Sequence, residues 1–227
     1  GYVEQGIADL GIVGENIIDE TESKVEYIKR LGFGKCTLKL AIPKDSTIQD
    51  IKDLNGKAIA TSYPNILKNF LDDYKINADI RLISGSVEIS PGLGLSDAIC
   101  DIVSTGGTLK SNGLKPFADV KNSEAILVGR KGLEGNEVLT ELVQRIESVL
   151  LAKETKYVVL NVEKKNLPAI TSLLHGVKSP TVVPLAEEGW VAVHTVITED
   201  DFWDKINKLK AEGAQGIVVM PIEKIIL

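Results

Sequence analysis

Short apolar runs rich in β-branched residues recur along the first two thirds of the chain and alternate with amphipathic stretches. These runs predict strands at 8–14, 35–43, 57–61, 79–84, 98–104, 117–120 and 124–130. Between them, 47–56 predicts a short helix with Thr47 as its N-cap, and 63–75 predicts an amphipathic helix with Pro64 in its first turn. The alternation is typical of an α/β layered fold with a mainly parallel sheet.

The pattern changes after Lys156, where strand, helix, strand, strand, helix and strand follow one another in the order of the ferredoxin-like fold. Thr198 precedes the second of these helices as a predicted N-cap. We expect two domains, a body over 1–152 that ends in a long connecting helix at about 135–153, and a small domain over 153–227. A small domain of this kind serves either as an oligomerisation module or as a binding site for a small effector.

Composition narrows the classes of function. The net charge of −6 over 227 residues disfavours a general nucleic-acid surface, because phosphate neutralisation needs clustered Lys and Arg. Cys36 and Cys100 lie far apart and form no metal-ligand spacing with His175 or His194, so we expect free thiols in a reducing, cytoplasmic compartment. No apolar run approaches the roughly 18 residues of a membrane span, so no membrane partner is expected.

The stretch DIVSTGGTL, which begins at Asp101, has two interpretations. Glycine admits backbone angles closed to other residues, and hydroxyls and free N–H groups from Ser104 to Thr108 are suited to hold a phosphate ahead of a helix. The same residue types also fill ordinary turns. The stretch is neither a P-loop nor a dinucleotide fingerprint, and no nucleophile elbow is present, so we expect no catalytic nucleophile.

Carboxylates lie close to this stretch in the sequence. Asp101, at the end of a predicted strand, is placed to accept hydrogen bonds from sugar hydroxyls or to help position Mg²⁺ carried by a pyrophosphate. Glu88 is a second candidate, whereas Asp97 is expected to order the local backbone. A phosphate and a sugar held side by side describe a phosphorylated pentose. For Asp101 a capping or turn role remains the alternative.

The segment SDAICDIVSTGGTLKSNGL resembles the phosphoribosyl-pyrophosphate (PRPP) loop of the ATP phosphoribosyltransferase family. The resemblance covers essentially the whole chain, through YVEQGIADLGIVGENII, LGFGKCTLKLAIP, IATSYPN, GSVEISPGLGLSDAI and SPTVVPLAEEGWVAVHTVI. It implies a two-lobed body like that of periplasmic binding proteins, with lobe I over about 1–34, lobe II over about 35–114, and a return to lobe I with the connecting helix over about 115–152. The ferredoxin-like domain resembles the regulatory domain of the long form of the family.

The resemblance implies three groups of site residues. The PRPP-binding group is Glu88, Asp101, Ser104, Thr105, Gly106, Gly107 and Thr108. The group that lines the cleft or its nucleotide side is Gly11, Gly14, Glu15, Asn16, Ser62, Tyr63 and Pro64. The group expected to bind histidine as an allosteric inhibitor is Asn161, Val177, Ser179, Thr181 and Gly216. Ordinary strand-start chemistry remains the alternative for Ser179 and Thr181, and helix-start packing for Tyr63.

The resemblance also implies a reaction and its partners. The phosphoribosyl group of PRPP would pass to N1 of the adenine of ATP with release of pyrophosphate, in the first step of histidine biosynthesis. Mg²⁺ would act as cofactor, carried by PRPP near Glu88 or Asp101, and the enzyme would be a homo-oligomer, a dimer or hexamer. Family members begin with a strand and loop that carry basic residues, and nothing in this sequence matches that segment. We therefore expect impaired turnover of a chain that begins at Gly1.

Two other functions stay open on the sequence alone. One is a non-catalytic, two-lobed small-molecule binding protein with an amino-acid-sensing domain, which would bind ligand without releasing pyrophosphate. The other is a PRPP-using transferase with a different acceptor, which competition by nucleotides would distinguish.

Overall fold

The computed structural model of the protein describes residues 1–103 and 106–227. It consists of two compact units, Gly1–Glu134 and Gly135–Leu227. Whereas the sequence predicts a domain boundary at 152/153, the contacts group the long helix with the second unit. Each unit has its own hydrophobic cores.

The first unit is built from short strands and helices. In its described residues the strands are β1 Leu10–Gly14, β2 Glu26–Arg30, β3 Cys36–Pro43, β4 Ala58–Thr61, β5 Asp79–Leu82, β6 Ala98–Val103, β7 Leu114–Ser123 and β8 Ala125–Gly129. The α-helices are α1 Glu15–Thr21, α2 Pro64–Asp73 and α3 Gly107–Ser111, and 3-10 turns lie at Ile51–Leu54 and Val87–Ile89. The apolar pattern predicts each of these strands except β2.

Lobe I is a small antiparallel sheet with β8 at its centre, paired with β1 on one side and β2 on the other. Every residue of β8 is buried. Ile18 of α1 packs on Ile126 and Val128 of β8 and completes the core of this lobe. Because β2 is a short edge strand with charged residues, Glu26–Arg30, its sequence lacks the apolar run that predicts the other strands.

Lobe II is a five-stranded sheet in the order β5-β4-β6-β3-β7. Strand β4 runs parallel to β5 and β6, whereas β3 runs antiparallel to both β6 and β7. The sheet is therefore mixed, and the prediction of a mainly parallel sheet is wrong. Leu38, Leu40 and Ile42 of β3 pack into one core, while Ala41 packs with Ile99 into another. Burial on both faces gives continuous apolar runs, and such runs carry no information about strand direction.

The helix predicted at 47–56 is reduced to the 3-10 turn Ile51–Leu54. Its N-cap is Asp50, whose carboxylate accepts the N–H of Lys52 at 2.9 Å, so the prediction of Thr47 as the cap is wrong. Asp50 directly precedes the turn, and its carboxylate is a good acceptor for the first free amides, so it takes the capping role in place of Thr47.

Strand β7 extends lobe II further along the chain than the resemblance implies. It pairs with β3 from Leu114 opposite Pro43 to Ser123 opposite Cys36. The chain therefore returns to lobe I with β8, after Ser123, and not from about 115. Glu124 is the single residue between β7 and β8, so the chain passes from one lobe to the other at this position.

The second unit has the ferredoxin-like fold that the sequence predicts. Its elements are α4 Glu137–Glu154, β9 Thr155–Glu163, a 3-10 turn Lys164–Asn166, α5 Leu167–Leu173, β10 Thr181–Pro184, β11 Trp190–Thr198, α6 Glu199–Ala211 and β12 Gln215–Pro221. The sheet order is β10-β11-β9-β12, with every pairing antiparallel. The Thr198 hydroxyl accepts the N–H of Asp201 at 3.2 Å, which confirms the predicted N-cap of α6.

Over residues 1–103 and 106–227, none of the helices combines the length and the apolar character needed to cross a bilayer. The longest, α4, carries charged side chains along its whole length.

Candidate active site

The two lobes meet where β1 turns into α1, beside the end of β7. Gly14 ends β1, and a Cβ at this position would lie 2.4 Å from Oδ1 of Asn16. The hydroxyl of Ser123 donates to that Oδ1 and accepts a hydrogen bond from the N–H of Asn16, both at 3.0 Å. Asn16 and Ser123 are both buried. The Asn16 side chain of lobe I is thereby fixed against the last residue of a lobe II strand.

Two of the lobe I residues predicted to line the cleft, Glu15 and Gly11, are instead engaged within lobe I. Glu15 is buried, and its carboxylate accepts hydrogen bonds from both terminal nitrogens of Arg30, one of them at 2.9 Å. Arg30 also donates to Glu124 at 3.1 Å, and these two acids, Glu15 first, raise the pKa of the guanidinium. Gly11 lies within β1, opposite Val128. Glu15 therefore ties α1 to β2 and is not free to contact a substrate.

Tyr63, at the start of α2, lies close to Asn16 and to Asp101. Burial raises the pKa of the Tyr63 hydroxyl, the charge of Asp101 raises it further, and a hydrogen bond with the Asn16 side chain opposes the rise. The N–H of Tyr63 donates to the Thr61 hydroxyl at 2.9 Å, which fixes the tyrosine at the end of β4. Asn16 of lobe I and Tyr63 of lobe II thus meet, and the Asp101 carboxylate is near enough to act on the Tyr63 hydroxyl.

Asp101 is a half-buried residue of β6, two positions before the strand ends. Its Oδ1 accepts the N–H of Ile102 at 2.8 Å. Burial raises the pKa of the Asp101 carboxyl, the Ile102 N–H opposes this, and the carboxylate of Glu88 raises it again. Glu88 belongs to the 3-10 turn Val87–Ile89. The structure therefore brings together the two acids that the sequence analysis singled out, at the carboxyl end of β6.

The glycine loop follows β6, and Ser104 and Thr105 of it lie outside the described residues. Gly106 has a φ of +75°, and a Cβ there would meet nothing within 4 Å, so the backbone faces open space. Between described residues, the N–H groups of Gly106, Gly107 and Thr108 have no acceptor. First-turn amides of a helix have no partner within the helix. The described part of the loop is thus compatible with an incoming anion.

A cavity of about 530 Å³ adjoins this loop. Its lining residues are Arg30, Lys35, Cys36, Thr37, Val103, Asn122, Ser123 and Glu124. Val103 is the last residue before the loop, and it lies opposite Thr37 of β3. Lys35 is exposed, and after Arg30 it is among the groups that lower the pKa of Glu124. The sequence analysis did not single out Lys35. The signal for it is that it directly precedes the strand paired with β6.

The remaining lobe II candidates lie at the entrance to α2. The Ser62 hydroxyl donates to the carbonyl of Ile83 at 2.7 Å, and Pro64 is the first residue of the helix. The carboxylate of Glu20 in lobe I accepts hydrogen bonds from the free amides of that helix, and the N–H of Asn65 lies 3.1 Å from one of its oxygens. The sequence analysis missed Glu20, because an acid within a short polar helix segment looks like a solvated side chain.

The described residues hold no cluster of three or more His, Cys, Asp or Glu side chains that could bind a metal ion by themselves. Glu88 and Asp101 supply two carboxylates. Mg²⁺ keeps several waters and is bound in proteins through one or two carboxylates plus substrate phosphates. The pair therefore fits a metal that arrives with a phosphorylated substrate.

In the second unit the five predicted effector residues form two groups. Asn161 of β9 lies beside Gly216, where a Cβ would be 3.2 Å from the Asn161 side-chain nitrogen. Val177, Ser179 and Thr181 are exposed and lie on the segment that leads into β10. In the sheet order β10-β11-β9-β12, the strand of Asn161 lies two strand spacings from β10 and that of Gly216 lies three, so the groups are about 10–15 Å apart across the sheet. They line different cavities, one of about 260 Å³ that includes Val177 and one of about 370 Å³ that includes Gly216.

Comparisons with known proteins agree with this architecture. The family model of ATP phosphoribosyltransferase matches residues 1–148, and the model of the C-terminal domain of that family matches 152–224. ATP phosphoribosyltransferases of Cytophaga hutchinsonii and Bacteroides thetaiotaomicron are 54% and 55% identical to the chain, over 100% and 99% of it and 80% of each relative. A solved ATP phosphoribosyl transferase complex from Thermotoga maritima aligns with a TM-score of 0.58 and 28% identity, over 66% of this chain and 74% of that chain. The chain therefore belongs to the ATP phosphoribosyltransferase family, in the form that carries the C-terminal domain.

Proposed function

We propose that this protein transfers the phosphoribosyl group of PRPP to N1 of the adenine of ATP and releases pyrophosphate, the first step of histidine biosynthesis. Membership of the family supports the reaction. The observation that carries the site is the packing of the 3-10 turn that holds Glu88 against β6, which holds Asp101, directly ahead of Gly106, where the backbone faces open space.

The loop and the two acids would divide the recognition of PRPP between them. The amides of Gly106, Gly107 and Thr108, with the hydroxyls of Ser104, Thr105 and Thr108, would hold the 5′-phosphate. Asp101, which is half-buried, would accept hydrogen bonds from the ribose hydroxyls. Charge-assisted hydrogen bonds of this kind contribute about 1.5–3 kcal/mol each.

Basic side chains that line the cavity beside the loop are a source of charge compensation for the phosphates. Lys35 is exposed in the cavity beside the loop, whereas Arg30 in the same cavity is already paired with two carboxylates. Mg²⁺, held by Glu88 or Asp101 together with the pyrophosphate, would stabilise the negative charge that develops on the leaving group.

The reaction needs no protein nucleophile. The lone pair of adenine N1 forms a bond to C1 of the ribose, the bond from C1 to the pyrophosphate oxygen breaks, and the electron pair leaves with the pyrophosphate, so C1 is inverted. The chain's residues would supply alignment of two anionic substrates and electrostatic stabilisation. The nucleotide side of the cleft would be lined by Tyr63, Ser62 and Pro64, with Asn16 on the opposite lobe.

The test is a pyrophosphate-release assay with PRPP and ATP. Pyrophosphate should appear when both substrates and Mg²⁺ are present, and the product should carry ribose on N1 of adenine. Binding of PRPP and ATP without pyrophosphate release would instead support a non-catalytic binding protein. Release with an acceptor other than ATP would support a different PRPP transferase.

The second unit would regulate the enzyme by binding histidine at Asn161, Val177, Ser179, Thr181 and Gly216. Since these residues lie in two groups on the isolated chain, a pocket shared between two copies brings them together most simply, which fits a homo-oligomer, a dimer or hexamer. Histidine titration by calorimetry, with sedimentation in parallel, tests this. Binding that Thr181→Ala and Asn161→Ala both weaken supports the site, and unchanged binding removes it.

A cytoplasmic location suits a biosynthetic enzyme that uses ATP. Cys36 and Cys100 are both free thiols in the structure. Buried Cys100, whose thiol pKa is raised by burial, is a packing residue and not a reactive one.

A further inference from the structure

Helix α1 of lobe I carries two neighbouring acids that contact lobe II. Oδ2 of Asp19 lies 2.6 Å from Nζ of Lys121 in β7. One carboxylate oxygen of Glu20 accepts the N–H of Asn65 at 3.1 Å, and the other accepts the N–H of Ile66 at 3.0 Å. The backbone carbonyl of Glu20 also accepts from the side-chain amide of Asn65 at 2.8 Å. Three of these four contacts therefore join Glu20 to the first turn of α2.

Glu20 supplies a cap that α2 does not supply for itself. Tyr63, the N-cap residue, forms no side-chain cap bond, and Pro64 has no N–H. The first amides of a helix are unpaired within it and carry partial positive charge, so a carboxylate there is favourable. In this protein the carboxylate comes from the opposite lobe. The cap exists only while the two lobes are closed against each other.

We propose that Glu20 is a positioning residue that holds the two lobes in the closed arrangement in which Asn16, Tyr63 and Asp101 meet. The inference rests on the proposed function, because it concerns the alignment of PRPP and ATP in that cleft. Tyr63 directly precedes the capped turn, and Asn16 lies one helical turn before Glu20 in α1. A hinge movement that takes Glu20 away from α2 also takes Asn16 away from Tyr63.

This role differs measurably from local helix stabilisation. When a ligand needs the closed form, its apparent dissociation constant is the intrinsic value divided by the closed fraction. Loss of the Glu20 cap lowers that fraction, so it raises the apparent dissociation constants of PRPP and of ATP by the same factor. A purely local cap changes the stability of α2 and leaves both affinities as they were.

The experiment compares Glu20→Ala and Glu20→Gln with Glu22→Gln, which makes the same loss of charge at an exposed residue beside the end of α1. Three quantities are measured: amide hydrogen exchange at Asn65 and Ile66 without ligand, the dissociation constants of PRPP and ATP, and unfolding in urea. Glu20→Ala should speed exchange at both amides and weaken both ligands by the same factor, up to about tenfold, the upper range of a lost N-terminal cap. Glu20→Gln keeps one oxygen acceptor and should give a smaller effect of the same kind, and Glu22→Gln should give none.

Faster exchange with unchanged affinities would show a local cap and overturn the proposal. Unequal effects on PRPP and ATP would also overturn it, because a shift in lobe closure acts on both equally. If Glu20→Ala does not fold, Glu20→Gln decides by the same criteria. Failure of the unaltered protein to bind PRPP would refute the proposed function itself, a result that is distinct from normal binding by all three variants.

Discussion

The hydroxyl of Ser123 donates a hydrogen bond to Oδ1 of Asn16 and accepts one from the Asn16 N–H, each at 3.0 Å and away from solvent. One side chain thus satisfies a donor and an acceptor at the point where the chain passes from lobe II to lobe I. Because Asn16 also lies beside Tyr63, this pair links the crossing between the lobes to the cleft.

Replacement of Ser123 by alanine should leave both partners on Asn16 unsatisfied. A buried polar group without a hydrogen bond costs about 1–3 kcal/mol, so the free energy of unfolding of the first unit should fall by that amount. Urea unfolding measures it, with Ser84→Ala at an exposed serine as the matched control. Equal midpoints for the two variants would show that water replaces the Ser123 hydroxyl without cost.

Gly14 should tolerate no side chain, although its backbone is ordinary, with φ of −65° and ψ of 134°. A Cβ would lie 2.4 Å from Oδ1 of Asn16, so Gly14→Ala must displace that side chain from Ser123. We expect a loss of about 1–3 kcal/mol, typical of overpacking in a buried site. The control is Gly92→Ala, where the Cβ meets Ile89 O at an ordinary 3.5 Å. Thermal unfolding of the two variants should differ clearly, and similar midpoints would contradict the close packing.

We expect Asp101 to be required for PRPP binding but not for the stability of the folded protein. Burial raises its pKa in the folded state, so the ionised form is disfavoured by folding. This cost is fully present at pH values above the folded pKa and disappears as the pH falls through it toward the unfolded value of about 4. Asp101→Asn should therefore be at least as stable as the unaltered protein at neutral pH, and its advantage should vanish in acid. Urea unfolding across pH measures this, and a loss of stability at neutral pH would contradict it.

Glu88→Gln should lower the pKa of Asp101, since the Glu88 carboxylate is one of the two causes of its rise. If PRPP binding needs ionised Asp101, the acid side of the PRPP-binding curve should move to lower pH in this variant. Burial is the larger cause and persists, so the shift should be partial. An unchanged pH dependence of PRPP binding would show that the Glu88 carboxylate does not influence the ionisation of Asp101.

Local pattern was sufficient to predict most elements of the fold and the whole of the ferredoxin-like unit. Alternation of apolar and polar residues and the Thr198 cap are encoded within short segments, so they are visible without the fold. The direction of β3 is not encoded in this way, because a strand buried on both faces looks the same whether its neighbours are parallel or antiparallel. The same applies to β7, whose continuation in lobe II depends on its pairing with β3.

The same distinction between locally encoded features and long-range contacts applies to the candidate site. Asp101, Glu88 and the glycine loop are close in sequence and carry a recognisable pattern, so sequence analysis placed them together. Glu20 acts on α2 across about 45 residues of chain, and its three contacts arise from the closure of the lobes. Glu15 shows the opposite error. The sequence predicts that it lines the cleft, and only the fold reveals that Arg30 binds its carboxylate.

The most direct measurement of the central claim is titration of PRPP into the protein, into Asp101→Asn and Thr108→Ala, and into Asp45→Asn as an exposed control. If the end of β6 and its loop hold the sugar phosphate, Asp101→Asn should weaken binding by about tenfold to a hundredfold, the loss of one charge-assisted hydrogen bond. Thr108→Ala should weaken it as well, and Asp45→Asn should bind as the unaltered protein does. Equal affinity in all four proteins would contradict the account.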